Sequence, residues 1–370
     1  MRLTALSLRR FRNLAAHDLE IPREGLALVG ENAQGKSNFL EAIYYLETLR
    51  SFRGARDDQL VGFEEDVFRI VGSLRGEGET REVAAAYQRT SRRKKVTIDG
   101  EEPDRLTDAI GHVAAVLFSP SDVSIVSEGP GERRRFLDVV LSLNIEGYVE
   151  ALAEYRHVLS QRNAALKEPR AESMLGVWNE PLVRGGSVVM HARRNWIESR
   201  AEGFARYYSD ISGGQTATQT YRPNVDVDDS PDLEAVAETF RMALEQAESN
   251  DLRLRTTTVG PHRDEVRFHL DGERELDVRE YGSGGQRRTV ALALRLIEAD
   301  TIRDTRGHEP IVLMDDVLAE LDAGRSERIM ELIDRDDAGQ VILTAPKESD
   351  VRLRTDVLPR WSIADGKISA

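Results

Sequence analysis

Gly30-Glu31-Asn32-Ala33-Gln34-Gly35-Lys36-Ser37 spaces two glycines, a lysine and a serine as G-x-x-x-x-G-K-S. Glycines at those places let backbone N–H groups close on a phosphate chain, a lysine after the second neutralises its oxygens, and a serine hydroxyl is a hard ligand for magnesium. The expected chemistry is that of ATP held with Mg2+. Such a site wants a carboxylate at the end of a neighbouring strand. Ile311-Val312-Leu313-Met314 followed by Asp315 and Asp316 supplies two. Asp315 is the candidate metal ligand, and Asp316, with Lys36, the candidate catalytic group, placed to direct water onto the γ-phosphate. Ser283-Gly284-Gly285-Gln286 opens a further apolar helix and forms a second anion nest. One ATP in one site needs only the first nest, so the second is expected to act in trans, on the nucleotide of another copy in a symmetric pair. Each group also has a plainer reading as a glycine turn or a helix cap. The joint agreement of spacing, end residues and flanking elements favours the chemistry.

These groups need particular elements to hold them. Alternation and turn residues predict strands over 3–11, 17–21 and 26–29, then 67–74, 82–89 and 95–99, an antiparallel meander closed by Asp99-Gly100. One helix rises from the first nest, with Phe39, Leu40, Ile43, Tyr44 and Leu46 on its apolar face. From about residue 122 the pattern turns helical, over 133–143, 148–167, 188–208 and 233–248. Strands return at 266–270, 311–314 and 341–344, with an apolar helix over 286–302. Lys36 and Asp315 lie far apart in sequence, so a helical block leaves and re-enters one α/β nucleotide domain. The expected division is 1–121 with 256–370, and 122–255.

Composition bounds the alternatives. A chain of 370 residues with 40% hydrophobic and 31% charged residues is globular, and no apolar run approaches membrane-spanning length. The absence of cysteine removes thiolate chemistry and fits a cytoplasmic setting, and the arginine-bearing start offers no export signal. A net charge of −14 argues on average against a polyanionic partner, but nine acids stand against two bases between Arg222 and Asp251. Basic residues gather elsewhere: Arg89, Arg92, Arg93, Lys94 and Lys95, and after the first helix Arg50, Arg53 and Arg56. Taken alone, either cluster has the plainer reading of a solvated face. The Asp- and Pro-rich stretch 224–232 is expected to be a mobile loop.

The first nest, Ser283-Gly284-Gly285-Gln286, Met314-Asp315-Asp316 and Glu320-Leu321-Asp322 resemble the Walker A, signature, Walker B and D-loop motifs of ABC-type ATPases of the SMC-like branch. Phe11-Arg12-Asn13, Pro120-Ser121-Asp122, Arg133-Arg134-Arg135-Phe136-Leu137-Asp138, Gln161-Arg162-Asn163 and Gly260-Pro261-His262-Arg263-Asp264 are, within that branch, similar to the RecF family of bacterial recombination mediators. The resemblance implies an α/β fold: an ABC-type P-loop ATPase head, with a mixed sheet and an antiparallel β subdomain, carrying an inserted helical arm. It also implies an ATP-dependent homodimer that binds DNA at duplex to single-strand gap junctions and, with RecR and RecO, promotes RecA loading in repair. The two basic clusters would then be the DNA-binding surface, and with no aromatic residues interleaved the contact would be to the backbone rather than by sequence readout. By position, Arg12 and Asn13 would lie near the nucleotide, and Ser283 and Gly285 would form the trans cap. Asp316 stands where the branch usually has glutamate, which predicts slow hydrolysis. Thr344-Ala345-Pro346 stands where a switch histidine is common, and no glutamine marks a Q-loop near residues 119–122. An ABC transporter subunit, another SMC-like DNA-processing ATPase and a P-loop phosphotransferase are the competing readings.

Overall fold

The computed structural model describes residues 1–76, 78–169, 172, 175–226, 232–271, 276–334, 339–351 and 358–370, with 319 and 320 by backbone only. Asp228 and Asp229 of the acidic run, most of the loop expected at 224–232, and the Glu320 side chain lie outside these.

In chain order the elements are β1 (Arg2–Arg9), β2 (His17–Glu20), β3 (Gly25–Val29), α1 (Lys36–Thr48), α2 (Asp57–Leu60), β4 (Val67–Arg75), β5 (Thr80–Gln88), β6 (Arg93–Ile98) and β7 (Ala115–Phe118). The helical block follows: α3 (Val123–Ser127), α4 (Pro130–Asn144), α5 (Tyr148–Ala165), α6 (Gly176–Ser199), α7 (Ala201–Ser212), β8 (Ala217–Arg222) and α8 (Leu233–Leu254). The return comprises β9 (Glu265–Leu270), β10 (Leu276–Asp277), α9 (Val278–Tyr281), α10 (Gly284–Arg306), β11 (Ile311–Asp315), α11 (Ala323–Ile333), β12 (Val341–Ala345), β13 (Arg360–Ala364) and β14 (Lys367–Ser369).

The chain forms two compact units, residues Met1–Asp122 with Leu292–Ala370, and Val123–Ala291. In the first, one sheet runs β14-β13-β3-β12-β11-β7, with β13, β3, β12, β11 and β7 parallel. Its strands β3, β7, β11 and β12 are almost wholly apolar because both faces are covered. The other sheet, β2-β1-β4-β5-β6, is antiparallel and alternates. Its inner face, Leu3, Leu6, Phe68, Ile70, Val83 and Tyr87, buries against Phe39, Leu46 and Tyr45 of α1, so that one core lies between both sheets and the phosphate-site helix.

The second unit is helical around a small sheet, β10-β9-β8. Pairing of Ala217–Arg222 with Glu265–Leu270 ties the returning strand to the arm, so the division falls at 291/292 rather than at the expected 255/256. Helix α6 starts at Gly176, not 188, and ends at Ser199. Gly185 and Gly186 sit inside it as packing positions: a Cβ on Gly186 would meet the Phe240 ring at 2.5 Å. Among the described residues no helix is long and apolar enough to cross a membrane.

Candidate nucleotide site and nucleic-acid face

Strand β3 ends at Val29 and α1 begins at Lys36, and the residues between form the loop expected to cradle phosphate. Gly35, the N-cap of α1, has φ +114°, a conformation closed to L side chains. No side chain caps α1 and no acid occupies its first turn, so its leading N–H groups keep their capacity for an anion. Glu31, Asn32 and Ala33 form the exposed rim. Lys36 is only 4% exposed. Its ammonium donates to Gly30 O (2.8 Å) and Glu31 O (3.1 Å) and stands 3.7 Å from Asp316 Oδ2.

Parallel pairing of β11 with β12 sets Asp315 beside Thr344, and β12 pairs in turn with β3. The order β3-β12-β11 thus carries the carboxylates to the loop across one intervening strand. Asp315 is buried. Burial pushes its carboxyl above the ordinary value, and the nearby Ser37 hydroxyl opposes that shift. A hydroxyl and a carboxylate together are hard oxygen donors of the kind magnesium takes, so these two residues fit the expected metal. Asp316 leaves the strand with φ +50°.

Thr344 is the site residue that motif reading did not find. Its hydroxyl lies 3.2 Å from Asp315 Oδ1 and 3.2 Å from Asp316 Oδ1, and accepts the Asp316 N–H at 3.1 Å. Sequence showed only that this position lacks histidine; the contact needs the β11-β12 register.

The Arg12 guanidinium forks onto buried Glu41 at 2.9 and 3.1 Å and donates to Gln59 O, so it ties α1 to α2. Asn13 accepts from Asn38, the residue after Ser37, at 2.7 Å. With Arg12, Asn38, Gln59 and Phe63 it lines a hollow of about 530 Å3. Gln34 turns toward the C-terminal strands, accepting the Asp365 N–H on its side-chain oxygen at 2.6 Å.

Ser283 and Gln286 cap α10 reciprocally: Ser283 N–H donates to Gln286 Oε1 (2.8 Å) and Gln286 N–H to Ser283 Oγ (3.2 Å). Ser283 and Gly284 are exposed, Gly285 is half-buried, and open space surrounds the Gly284 Cα. Asp322 accepts the Arg325 N–H and so caps α11.

The basic run divides by the period of a strand. Phe68, Tyr87 and Lys94 stand opposite one another on the inner face. There Lys94 donates to Leu49 O (2.7 Å), pairs with Asp57 (2.9 Å) and lies over the Tyr45 ring. Arg89 is likewise consumed, by Glu65 O at 2.7 Å and by the carbonyls of Asp58 and Val61. Both are scaffold, contrary to the expected stripe. Arg92, Arg93 and Lys95 stay exposed. On the outer face Lys95 stands opposite Ala86 and Ala86 opposite Arg69, a row with a small residue at its centre. Arg69 was not anticipated. Arg53 and Arg56 are exposed; Arg53 donates to Asn38 Oδ1 at 3.0 Å and Arg56 pairs with Asp58 at 3.1 Å.

The family tags of the arm prove structural. Asp138 binds Arg156, Arg193 and Tyr148, and Arg193 continues to Asp264. His262 meets Tyr155 at 2.6 Å, and its burial lowers its pKa to about 4.

Residues 2–359 match the family described as RecF/RecN/SMC N terminal domain. The DNA replication and repair protein RecF of Synechococcus sp. (strain JA-2-3B'a(2-13)) is 38% identical over 90% of this chain and 88% of its own length. The protein of that name from Salinibacter ruber is 35% identical over 94% and 85%. The recombination mediator protein RecF solved with ATP superposes with a TM-score of 0.90 at 31% identity, over 99% of this chain and 96% of that one. The Smc head domain of Pyrococcus furiosus, at 16% identity and a TM-score of 0.56, shares the fold. Fold, motif order and similarity over nine-tenths of the sequence agree, and the chain belongs to the RecF family.

Proposed function

We propose that this protein is a slow, DNA-dependent ATPase of recombinational repair and replication restart, whose ATP-bound homodimer closes on DNA at gap junctions and, with RecR and RecO, promotes RecA loading in the cytoplasm. The observation that carries the reading is the convergence of Lys36, Ser37, Asp315, Asp316 and Thr344 on one loop, while the exposed Ser283 end of α10 belongs to the other unit. The solved relative with ATP supports it.

The chain's own groups divide the work. Lys36 and the free N–H groups of α1 supply positive potential for the triphosphate, and the hollow beside Asn13 has room for a nucleoside. Ser37 and Asp315 would hold Mg2+, which when bound neutralises phosphate oxygens. Asp316 orients the attacking water and accepts its proton. Its short side chain reaches one methylene less far than glutamate, the basis for slow turnover. Ser283 keeps its cap while acting in trans: a hydroxyl accepting from Gln286 still has a proton to donate to the partner's γ-phosphate. The outer row of Arg69 and Lys95, with Arg92 and Arg93, offers backbone contacts to a duplex, and Arg53 and Arg56 add charge near α1.

Light scattering of wild type, Lys36→Met and Ser283→Arg, with ATP and a gapped duplex, tests this. The wild type dimerises and both variants stay monomeric. Normal pairing by Ser283→Arg sinks the trans cap, and ATP-independent pairing of the wild type sinks the switch.

A further inference from the structure

We infer that the turn of the C-terminal β13-β14 hairpin positions the phosphate loop, with Gln34 as the positioning residue. The inference rests on the ATP site proposed above and adds a part that no nucleotide motif contains. The two backbone N–H groups of the turn are both spent on Gln34: Asp365 N–H donates to its side-chain oxygen at 2.6 Å, and Gly366 N–H to its backbone oxygen at 3.0 Å. The turn is itself anchored from below. Gly366 O accepts the Ala15 N–H at 2.9 Å, and His17 Nε2 accepts the Ile368 N–H at 3.2 Å. Gly366 has φ +71°, and a Cβ there would lie 1.9 Å from Asn13 O. The hairpin therefore bears on the loop at Gln34 and on the Asn13 segment at once.

Gln34 immediately precedes Gly35 and Lys36, whose backbone aims the anion-binding N–H groups. Its side chain, which the motif pattern leaves unspecified, is committed to the hairpin and does not point to phosphate. Loop conformation is thus set from a strand more than three hundred residues away. Pre-fixing the loop removes an ordering cost from nucleotide binding. Because neither Gln34 contact touches Asp316 or Thr344, the effect is on affinity and not on the hydrolytic step.

A double-mutant cycle with a fluorescent ATP analogue and steady-state hydrolysis decides it. Gln34→Leu removes the acceptor from the loop side, Gly366→Ala presses the hairpin away from the other side, and Asp365→Ala spares both N–H donors. Gln34→Leu and Gly366→Ala each weaken binding about tenfold, the loss of one such bond. The double variant is no weaker than the worse single, kcat at saturating ATP stays within twofold of wild type, and Asp365→Ala binds normally. Amide exchange at residues 33–36 accelerates in Gln34→Leu. Wild-type affinity in folded Gln34→Leu overturns the inference while leaving the ATP site standing. Additive losses in the double variant overturn it in favour of direct phosphate contact by Gln34. A wild-type protein that binds no nucleotide overturns both.

Discussion

Replacing Thr344 by valine keeps the shape of the side chain and deletes its hydroxyl. The residue is 5% exposed, so water does not take over the lost contacts. Two things are lost: an acceptor for the Asp316 N–H at 3.1 Å, and a donor that lies 3.2 Å from both Asp315 and Asp316 and serves one of them at a time. A hydrogen bond to a charged group contributes about 1.5–3 kcal/mol. Part of this loss falls on the fold and lowers thermal stability. The part that orients Asp316 falls on the transition state, and about 1.4–2.7 kcal/mol there corresponds to a ten- to hundredfold drop in kcat. Nucleotide affinity stays within about twofold, because Lys36 and the N-terminus of α1 are untouched. Phosphate release at saturating ATP, together with nucleotide titration, separates the two quantities. Thr344→Ser restores the rate, and Thr344→Val placed on Asp316→Asn lowers it no further. Hydrolysis within twofold of wild type by a folded Thr344→Val protein refutes the argument, as does an equal loss in the Asp316→Asn background.

Reversing Arg69, Arg93 or Lys95 to glutamate lowers the slope of log affinity for duplex DNA against log salt by about one each, whereas Arg89→Ala lowers the melting temperature without changing that slope. An unchanged slope in the Arg69, Arg93, Lys95 triple reversal removes the sheet face from the DNA path. His262 is held neutral by burial, with its pKa lowered to about 4 despite Thr257 O, while Arg263 and Arg134 also disfavour its charge. The unfolded chain takes the proton first, so stability falls as pH drops from about 6.5 to about 4, by roughly 3 kcal/mol at most. Asp264, raised by burial, binds its proton more readily in the fold and offsets part of that loss at the acid end. Denaturant midpoints of wild type and His262→Gln between pH 7 and pH 4 check this, and parallel curves discard it.

What could be read from the chain alone depended on how local each signal was. The phosphate loop lies within eight residues between a strand and a helix, so spacing sufficed. Thr344 could not be found that way, because its contacts with Asp315 and Asp316 exist only once β12 pairs with β11 in one register. The Gln34 contact with the hairpin is more remote still. The basic run is a different case, because its signal lies in period and not in composition. Arg93, Lys94 and Lys95 alternate on a strand, and apolar Val96 lies on the face of Lys94, which marks that lysine as inward. The same alternation in Val67–Arg75 sets Arg69 outward between buried Phe68 and Ile70.

The arm tags teach a related distinction between a sequence signature and a site. Asp138, Arg193 and Asp264 are buried charges drawn from α4, α6 and the turn before β9, and they are satisfied by one another and by Tyr148, Arg156, Tyr221, the Pro261 carbonyl and the Asn224 N–H. Arg162 repeats the pattern with Asp251, Asn179 and Thr257, while Asn163 accepts from Thr257. Taking such ions out of water costs several kcal/mol apiece, and apolar residues of like volume would hold helices together at least as well. What ions add is intolerance of misregister: if α6 slides by a turn, Arg193 loses both carboxylates and Asp264 loses its ion pair, leaving buried charge without a counter-ion. A unit built this way fixes its helices against one another. The Ser283 end of α10 belongs to that unit, and the cap proposed to act on a second copy's nucleotide would need a mounting that does not give.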